Sequence, residues 1–200
     1  FGQNDFWNAA PSGFSTLSTA NFDDPTIADP SAYFQTTLYT GNDGSNEIDQ
    51  TGNSTFEPNM VFLKERSAGN HGTIIDSVRG GTKGMYPSLT TVEYTETNLS
   101  FDADGFSLSV RGSSAQINKT GETYVAWQWL EGVTPGFDIV SYDGTGENRT
   151  VSHSLGVKPD MMVFKRLDGT QNWAVYHSFV TATGRLILDL NHAEYDDSSF

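Results

Sequence analysis

Residues 105–110 read GFSLSV and residues 124–130 read YVAWQWL. In the first stretch apolar residues alternate with serine or glycine, and in the second Trp127 and Trp129 lie two positions apart. A period of two is typical of a β-strand with one face buried, because successive side chains point to opposite faces. We therefore predict two strands that contribute to one core. The side chains expected inside are Met60, Phe62, Ile75, Phe106, Leu108, Val125 and Trp127.

Short strands of this kind are predicted at regular spacing along the rest of the chain. Turns containing Gly, Asn or Asp separate almost every pair of apolar runs. No window has a 3.6-residue apolar period with helix caps, so no helix longer than about two turns is expected. This pattern predicts an all-β protein, an antiparallel β-sandwich. The predicted strands are 33–39, 59–64, 73–78, 105–110, 124–130, 137–142, 161–165, 173–179 and 185–190.

Composition and charge exclude several classes of function. The 200 residues carry a formal net charge of −14. An acidic surface repels phosphate backbones and anionic bilayers, so neither nucleic acid nor membrane is an expected partner. The sequence has no cysteine, which excludes disulfides, thiolate metal sites and cysteine nucleophiles. The missing disulfides favour a microbial or viral product over an animal ectodomain. No signal-peptide pattern or membrane-spanning apolar run is present.

The first 35 residues differ in composition from the rest. Three of the seven prolines, at Pro11, Pro25 and Pro30, lie here among many Ser, Thr, Asn and Asp residues. Proline removes a backbone donor and biases its predecessor to extended geometry. We predict that residues 1–35 are an irregular connector, in which residues 1–3 could be the last strand of a preceding domain.

Two parts of the sequence resemble each other at an offset of 101 residues. PNMVFLK at 58–64 matches PDMMVFK at 159–165, and TIIDSV at 73–78 matches AVYHSF at 174–179. The alternative interpretation is two unrelated strand pairs with similar patterning. A tandem repeat would place a first module at 36–131 and a second at 137–200. The second copy is then expected to be truncated, with the counterparts of GFSLSV and YVAWQWL beyond residue 200.

The ordered motifs of both copies resemble a module of tail-fibre-like and other structural proteins of marine bacteriophages. In that module YTGNG, a GF-x-PD-x-V-x-IK-x-R strand, D-x-VRG, S-x-DGF and YVAW recur in this order. Phe56-Glu57-Pro58-Asn59 lacks the usual Gly before Phe and Asp after Pro. Residues 1–34 resemble the segment that follows a SPRY-like domain in such proteins. The matching segments are YTGN (39–42), FEPNMVFLKERS (56–67), IIDSVRG (74–80), SFDADGFSL (100–108), YVAWQW (124–129), FDIVSYDGTG (137–146), LGVKPDMMVFK (155–165) and NWAVYH (172–177).

The resemblance implies a lectin-like or laminin-G-like β-sandwich in an extracellular virion appendage. The expected partners are other virion proteins, further copies in a homo-oligomer, and host-surface glycans. A spacer or decoration module with no ligand is the alternative, and a polysaccharide depolymerase is the third hypothesis. The resemblance assigns no activity to any residue, and we expect no enzyme.

Candidate sites for chemistry are few. The four histidines have no metal-ligand spacing, and no nucleophile elbow or phosphate loop is present. Asp102 and Asp104 resemble part of a calcium loop, because hard cations prefer clustered oxygens. A tight turn is the favoured interpretation there. The acidic, amide-rich loop 42–53 is a second calcium candidate, and no other cofactor is expected.

Aromatic residues at predicted strand ends are the candidates for glycan binding. Trp173 precedes an alternating segment, and Tyr142 ends a predicted strand beside Asp143. Such rings could stack on sugar faces while Asp143 binds hydroxyl groups, although edge packing is the alternative. Trp127 and Trp129 must share one face of their strand, and packing in the core is the favoured interpretation for both.

Overall fold

A computed structural model describes Ser12 and residues 25–95, 97–109, 117–180 and 184–196. The chain divides into two compact units, Phe1–Pro30 and Ser31–Phe200. The first unit coincides with most of the predicted connector, but nearly all of that connector lies outside the described residues, including the strand suggested for residues 1–3. The predicted boundary between the two modules, near residues 131–137, falls inside the second unit.

The described residues form antiparallel strands, turns and one 3₁₀ turn at Pro30–Ala32, without an α-helix. The all-β prediction is therefore confirmed. The strands are β1 (Phe34–Thr40), β2 (Asn46–Asp49), β3 (Met60–Glu65), β4 (Thr73–Asp76), β5 (Lys83–Gly84), β6 (Tyr94–Thr95), β7 (Leu99–Asp102), β8 (Gly105–Leu108), β9 (Thr123–Trp129), β10 (Met161–Phe164), β11 (Ala174–His177), β12 (Gly184–Ile187) and β13 (Tyr195–Asp196).

Two sheets from the first half of the second unit share one core. The larger sheet has the order β1-β9-β3-β4 and the smaller has the order β2-β8-β7, and every pairing is antiparallel. Their inner faces supply one hydrophobic cluster, which is the arrangement of a β-sandwich. The cluster contains Ile48, Val61, Leu63, Ile75, Leu99, Phe106, Leu108, Ile117 and Ala126.

The structure corrects the inner faces of two strands. In β3 the buried apolar residues are Val61 and Leu63, and the predicted Met60 and Phe62 are half-buried on the outer face. In β9 the outward Trp127 is likewise half-buried. A shift of one residue exchanges the two faces of a strand, and apolar residues on both faces hide the correct choice. The predictions for Ile75, Phe106 and Leu108 are confirmed, because all three are buried in the shared cluster. Val125 is buried as well, but it lies on the outer face of β9 with Trp127.

A polar network explains why β9 turns Gln128 inward. Gln128 is fully buried, and its amide group donates to the Thr37 hydroxyl at 3.0 Å. Its carbonyl oxygen accepts from Gln50 Nε2 at 3.1 Å, and the Gln50 side-chain oxygen accepts from the backbone nitrogen of Phe56. A buried amide is tolerated when its donors and acceptors are paired. The sandwich interior therefore includes a satisfied polar cluster that apolar periodicity does not detect.

The second half of the unit contributes a separate sheet with the order β10-β11-β12-β13. Its hairpin loop docks on the first half, where the backbone nitrogen of Gln171 donates to Thr90 and that of Glu93 donates to Leu167. The predicted strand at residues 137–142 is absent, which is a further correction. That segment has the composition of a strand, but in the described residues its only β contact is a bridge between Phe137 and Gly132.

Alkaline pH is expected to destabilise the sandwich through Tyr39. Burial, followed by the neighbouring Tyr124, raises the pKa of Tyr39 well above its ordinary value of 10.0. Its hydroxyl donates to the backbone oxygen of Ile117 at 2.6 Å, and its ring stacks on Tyr124. A raised pKa gives stability that is present below pH 10 and is lost as the pH rises toward the folded-state pKa. The expected loss is about 1.4 kcal/mol per pH unit.

Urea unfolding of the wild type and Tyr39→Phe between pH 8 and pH 11.5 measures this effect. Tyr39→Phe should have a lower baseline stability, because the hydrogen bond is lost, and a shallower alkaline decline. Equal slopes for the two proteins would show that Tyr39 does not control the alkaline transition.

Candidate functional site

The outer face of the larger sheet carries an apolar and aromatic surface, which we call the outer aromatic face. It consists of three cross-strand rows in which β9 lies between β1 and β3. Neighbouring side chains in such rows touch, because they stand directly opposite each other. The rows are Phe34–Trp129–Met60, Thr36–Trp127–Phe62 and Leu38–Val125–Lys64.

Ring contacts hold the side chains of this face in place. The centroids of Phe34 and Trp129 lie 5.1 Å apart, and those of Phe62 and Trp127 lie 5.2 Å apart. Phe137 approaches Trp129 at 6.4 Å from the segment that follows β9. These separations are within the range of favourable aromatic pairs. The face is therefore a fixed set of rings on strands.

The outer aromatic face is partly open. Leu38 is 61% exposed and Phe34 is 38% exposed, whereas Trp127 and Trp129 are half-buried. Half-buried rings fixed on strands can present apolar area to a ligand at little entropic cost. Thr36 is exposed between Phe34 and Leu38 and offers a hydroxyl group. The arrangement suits a flat ligand that has an apolar side and hydroxyl groups, such as a pyranose ring.

Trp173, the first sequence-predicted glycan residue, lies in a different place. It is 4% exposed, and its indole nitrogen donates to the backbone oxygens of Tyr86 at 3.1 Å and Leu89 at 3.0 Å. Its own backbone nitrogen donates to the Asp189 carboxylate. A buried ring offers no face to a sugar, so Trp173 joins the β10–β11 hairpin to the 86–89 loop in this structure.

Tyr142 and Asp143, the other predicted glycan residues, lie in an irregular segment. Tyr142 is 49% exposed, and the backbone oxygen of Asp143 accepts from Arg149 Nη1 at 2.9 Å. The described residues show no hydrogen bond between either of them and Trp173. The three residues are therefore not assembled into one site.

The two calcium candidates are occupied by internal hydrogen bonds. Asp102 pairs with Gly105 in the β7–β8 hairpin, and its carboxylate accepts from the Ser107 hydroxyl. Gly105 has a φ of 151°, and a Cβ there would lie 2.3 Å from the Ile48 oxygen, so the turn requires glycine. The backbone oxygen of Asp104 accepts from Gln50. Within the described ranges no group of three or more His, Asp or Glu side chains could hold a metal.

The second candidate loop is fixed by Asn118, which sequence patterning did not identify. Asn118 is 1% exposed. Its side-chain oxygen accepts from the backbone of Asn42 at 3.1 Å and from Asn46 Nδ2 at 3.0 Å, and its amide donates to the oxygen of Gly44 at 2.8 Å. A side chain committed in this way closes the loop.

Sequence patterning also missed a partly buried cluster of ion pairs. Arg79 contacts Asp76 at 2.6 Å and Glu93 at 3.3 Å, and Lys83 contacts Glu93 at 2.9 Å. The side chains of Arg79 and Asp76 are 7% and 4% exposed. The D-x-x-R-G spacing at residues 76–80 was the available signal. Paired charges of this kind hold β4 to the segment before β6 and leave no free acid or base.

One carboxylate pair has pKa values moved in opposite directions. Burial, and then the nearby Asp138, raises the pKa of Glu131. Burial opposes ionisation of Asp138 as well, but hydrogen bonds from Ser154 and Ile139 outweigh it and lower its pKa. Glu131 also accepts from the Ile139 backbone nitrogen at 2.6 Å.

Glu131 and Asp138 both accept from the backbone nitrogen of Ile139, and Asp138 also accepts from that of Ser154. The pair therefore fixes the segment after β9.

The fold and the candidate site define the class of protein, which is an all-β protein of antiparallel sheets with a fixed aromatic outer face. Residues 29–200 match the profile of the family DUF7483, described as a domain of unknown function. The chain belongs to this family. No curated protein and no solved structure matches it. Across the described residues no helix is long and apolar enough to cross a membrane.

Proposed function

We propose that the chain is a receptor-binding module of a bacteriophage virion appendage of the tail-fibre kind, and that it contacts host-surface glycans. The outer aromatic face carries this proposal. Rings held by cross-strand neighbours can stack on the apolar side of a sugar, and the adjacent hydroxyl group of Thr36 can bind a sugar hydroxyl. The phage assignment rests on the ordered motifs that resemble a module of marine bacteriophage structural proteins.

The net charge of −14 bears on the ligand. An acidic protein is repelled by anionic polymers and keeps its solubility in crowded assemblies. Neutral glycans are therefore the favoured class over sulfated or phosphate-bearing polysaccharides. Lys64, the cation in the row Leu38–Val125–Lys64, donates to the backbone oxygens of Glu65 and Ala68, so its charge is partly committed within the chain.

Phe34→Ser should weaken glycan binding about five- to tenfold, because it removes one stacking ring and the support of Trp129. Phe34 lies on the edge strand β1 and is 38% exposed, so the sandwich should remain folded. Binding is measured on an array of neutral bacterial surface glycans and then by calorimetry with the best ligand.

Phe179→Ser is the matched control, because Phe179 is 93% exposed and lies outside the outer aromatic face. It should bind as the wild type does. Absence of glycan binding at millimolar ligand, or equal losses in the two variants, would contradict the proposal.

A spacer module without a ligand is the second candidate. The exposed apolar side chains of the second half favour it, since surfaces of this kind are buried in assemblies. They include Val157, Met161, Val163, Phe179 and Leu188. This function would leave the glycan array blank and would make the chain associate with itself or other virion proteins in sedimentation velocity.

A further inference from the structure

The backbone pairing of β3 with β4 is reproduced 101 residues later. In the first hairpin Met60 pairs with Asp76, and in the second Met161 pairs with His177. All four pairs of each hairpin keep this offset. A one-residue slip in either strand would have destroyed the agreement. The bonds that end the hairpins agree as well, because Ser77 donates to Asn59 and Ser178 donates to Asp160.

The same offset of 101 residues relates the next two strands, which lie beyond the segments that match in sequence. Ile74 pairs with Met85, and Val175 pairs with Leu186. The two β5–β6 pairs, such as Gly84 with Tyr94, return in β12–β13 at the same offset. The turn bonds also match, since Leu89 donates to Tyr86 and Leu190 donates to Ile187. The identical residues of this stretch are Leu89 and Leu190, Glu93 and Glu194, and Tyr94 and Tyr195.

The two matching segments, β3–β6 and β10–β13, differ at one edge. The strand β3 has β4 on one side and β9 on the other. The strand β10 has β11 on one side, and in the described part of the chain no strand pairs with its other side. Met161 is 54% exposed and Val163 is 44% exposed, whereas their counterparts Met60 and Phe62 are half-buried against β9. An unpaired edge of this kind is a template for another strand.

A second observation marks the same place. Residues 137–143 correspond to 34–40 at an offset of 103, so that Phe137 matches Phe34 and Tyr142 matches Tyr39. The strand β1 is held only by β9 in its sheet, and residues 137–143 form no strand. Tyr39, the counterpart of Tyr142, stacks on Tyr124 of β9 with ring centroids 4.9 Å apart. The exposure of Tyr142 is therefore what we expect of a core residue that lacks a neighbouring strand of the β9 type.

We propose that β3–β6 and β10–β13 are two copies of one unit, and that the free edge of β10 binds an extended polypeptide strand with the pattern of β9. The strand would run antiparallel to β10 and would lie between β10 and residues 137–143, as β9 lies between β3 and β1. Side chains on one face of the bound strand would cover Met162 and Phe164, and those on its other face would cover Met161 and Val163. This proposal is independent of glycan binding.

The occupant is a separate strand of this chemistry and not β9 of a second copy. Tyr124, Ala126 and Gln128 are fully buried in the first sandwich, so donating β9 would dismantle the donor. The chain already forms an interface of this kind, in which β9 pairs with β3 as an antiparallel neighbour. Strand addition to an open edge gains its affinity from main-chain hydrogen bonds and its specificity from alternate side chains.

The probe is a dye-labelled synthetic peptide with the sequence of residues 122–131, ETYVAWQWLE, added to the intact chain. Fluorescence anisotropy should show saturable binding below about 1 mM peptide. The same peptide with proline in place of Val125 and Trp127 should not bind. Thr123 accepts from Arg66 beside β3, so alternate residues from Thr123 face β3 in the parent sheet, and proline there removes donors that would face β10. This comparison uses only the wild-type chain, so it does not depend on how any variant folds.

Val163→Pro locates the binding edge. Asp160 accepts from Ser178 of the β11 side, and alternate residues of a strand face the same neighbour, so Val163 faces the open edge. Val163→Pro should weaken peptide binding at least about tenfold relative to Val163→Thr, which changes the same side chain but keeps the backbone donor. No saturable binding, equal binding of the proline peptide, or equal binding by Val163→Pro and Val163→Thr would overturn the proposal. The last result would place the peptide elsewhere, such as the outer edge of β1.

Discussion

Phe106→Ala is expected to lower the free energy of unfolding by about 3–5 kcal/mol. Phe106 is 1% exposed and belongs to the cluster shared by both sheets. Its ring also meets Tyr39 edge-on, with centroids 6.0 Å apart. Removing it loses the transfer free energy of the ring and leaves a cavity that strands anchored on two sides cannot close. Urea unfolding followed by circular dichroism measures the change.

Phe34→Ala is the matched control for this prediction, because it deletes the same atoms from a ring that is 38% exposed on an edge strand. Its effect should be below about 1.5 kcal/mol. If the two substitutions destabilised the protein equally, Phe106 would not be the centre of a two-sheet core, and the sandwich would be misassigned.

Arg79→Met is expected to lower the free energy of unfolding by about 3–5 kcal/mol. The Arg79 guanidinium contacts Asp76 at 2.6 Å, and their side chains are 7% and 4% exposed. Arg79 also donates to the backbone oxygen of Ile74 at 3.3 Å. Methionine fills part of the volume but leaves the Asp76 carboxylate buried without its charged partner. The same urea measurement applies.

Two comparisons make this prediction specific. Arg166→Met removes an ion pair of similar length, Arg166 to Asp168 at 2.7 Å, from a site where both side chains are exposed, and should leave the free energy of unfolding nearly unchanged. Asp76→Asn combined with Arg79→Met should recover part of the loss, because no charge is then stranded. Equal effects of Arg79→Met and Arg166→Met would show that the cluster is not an important stabilising contact.

The fold class and most strands could be predicted from the sequence because period-two patterns and turn residues are local signals. The strands β5, β6 and β13 were missed because two residues have no periodicity. The strands β2 and β7 were missed because their sequences, NEID and LSFD, carry only one and two apolar residues. The inward faces of β3 and β9 were wrong for a different reason. Both faces of β9 carry large residues, and only the hydrogen-bonded partners of Gln128 show that its side chain points inward.

The candidate site was predicted in part. Sequence patterning placed Trp127 and Trp129 on one face of their strand, but that face was assigned to the core. This assignment was wrong, because the face is the outer one and its neighbours are side chains of β1 and β3. Trp173 was proposed as an exposed ring, whereas its indole nitrogen is bonded to two backbone oxygens of a loop more than 80 residues earlier. Residues 137–142 have the pattern of a strand, yet a strand also needs a neighbour to pair with.

The central claim is that the outer aromatic face binds glycan, and ¹⁹F NMR of the 5-fluorotryptophan-labelled chain tests it most directly. Single Trp→Phe variants assign the resonances, and a neutral glycan selected on the array is then titrated. The account predicts that the signals of Trp127 and Trp129 shift or broaden saturably while that of the buried Trp173 stays in place. Unchanged signals at millimolar glycan, or a shift confined to Trp173, would contradict it.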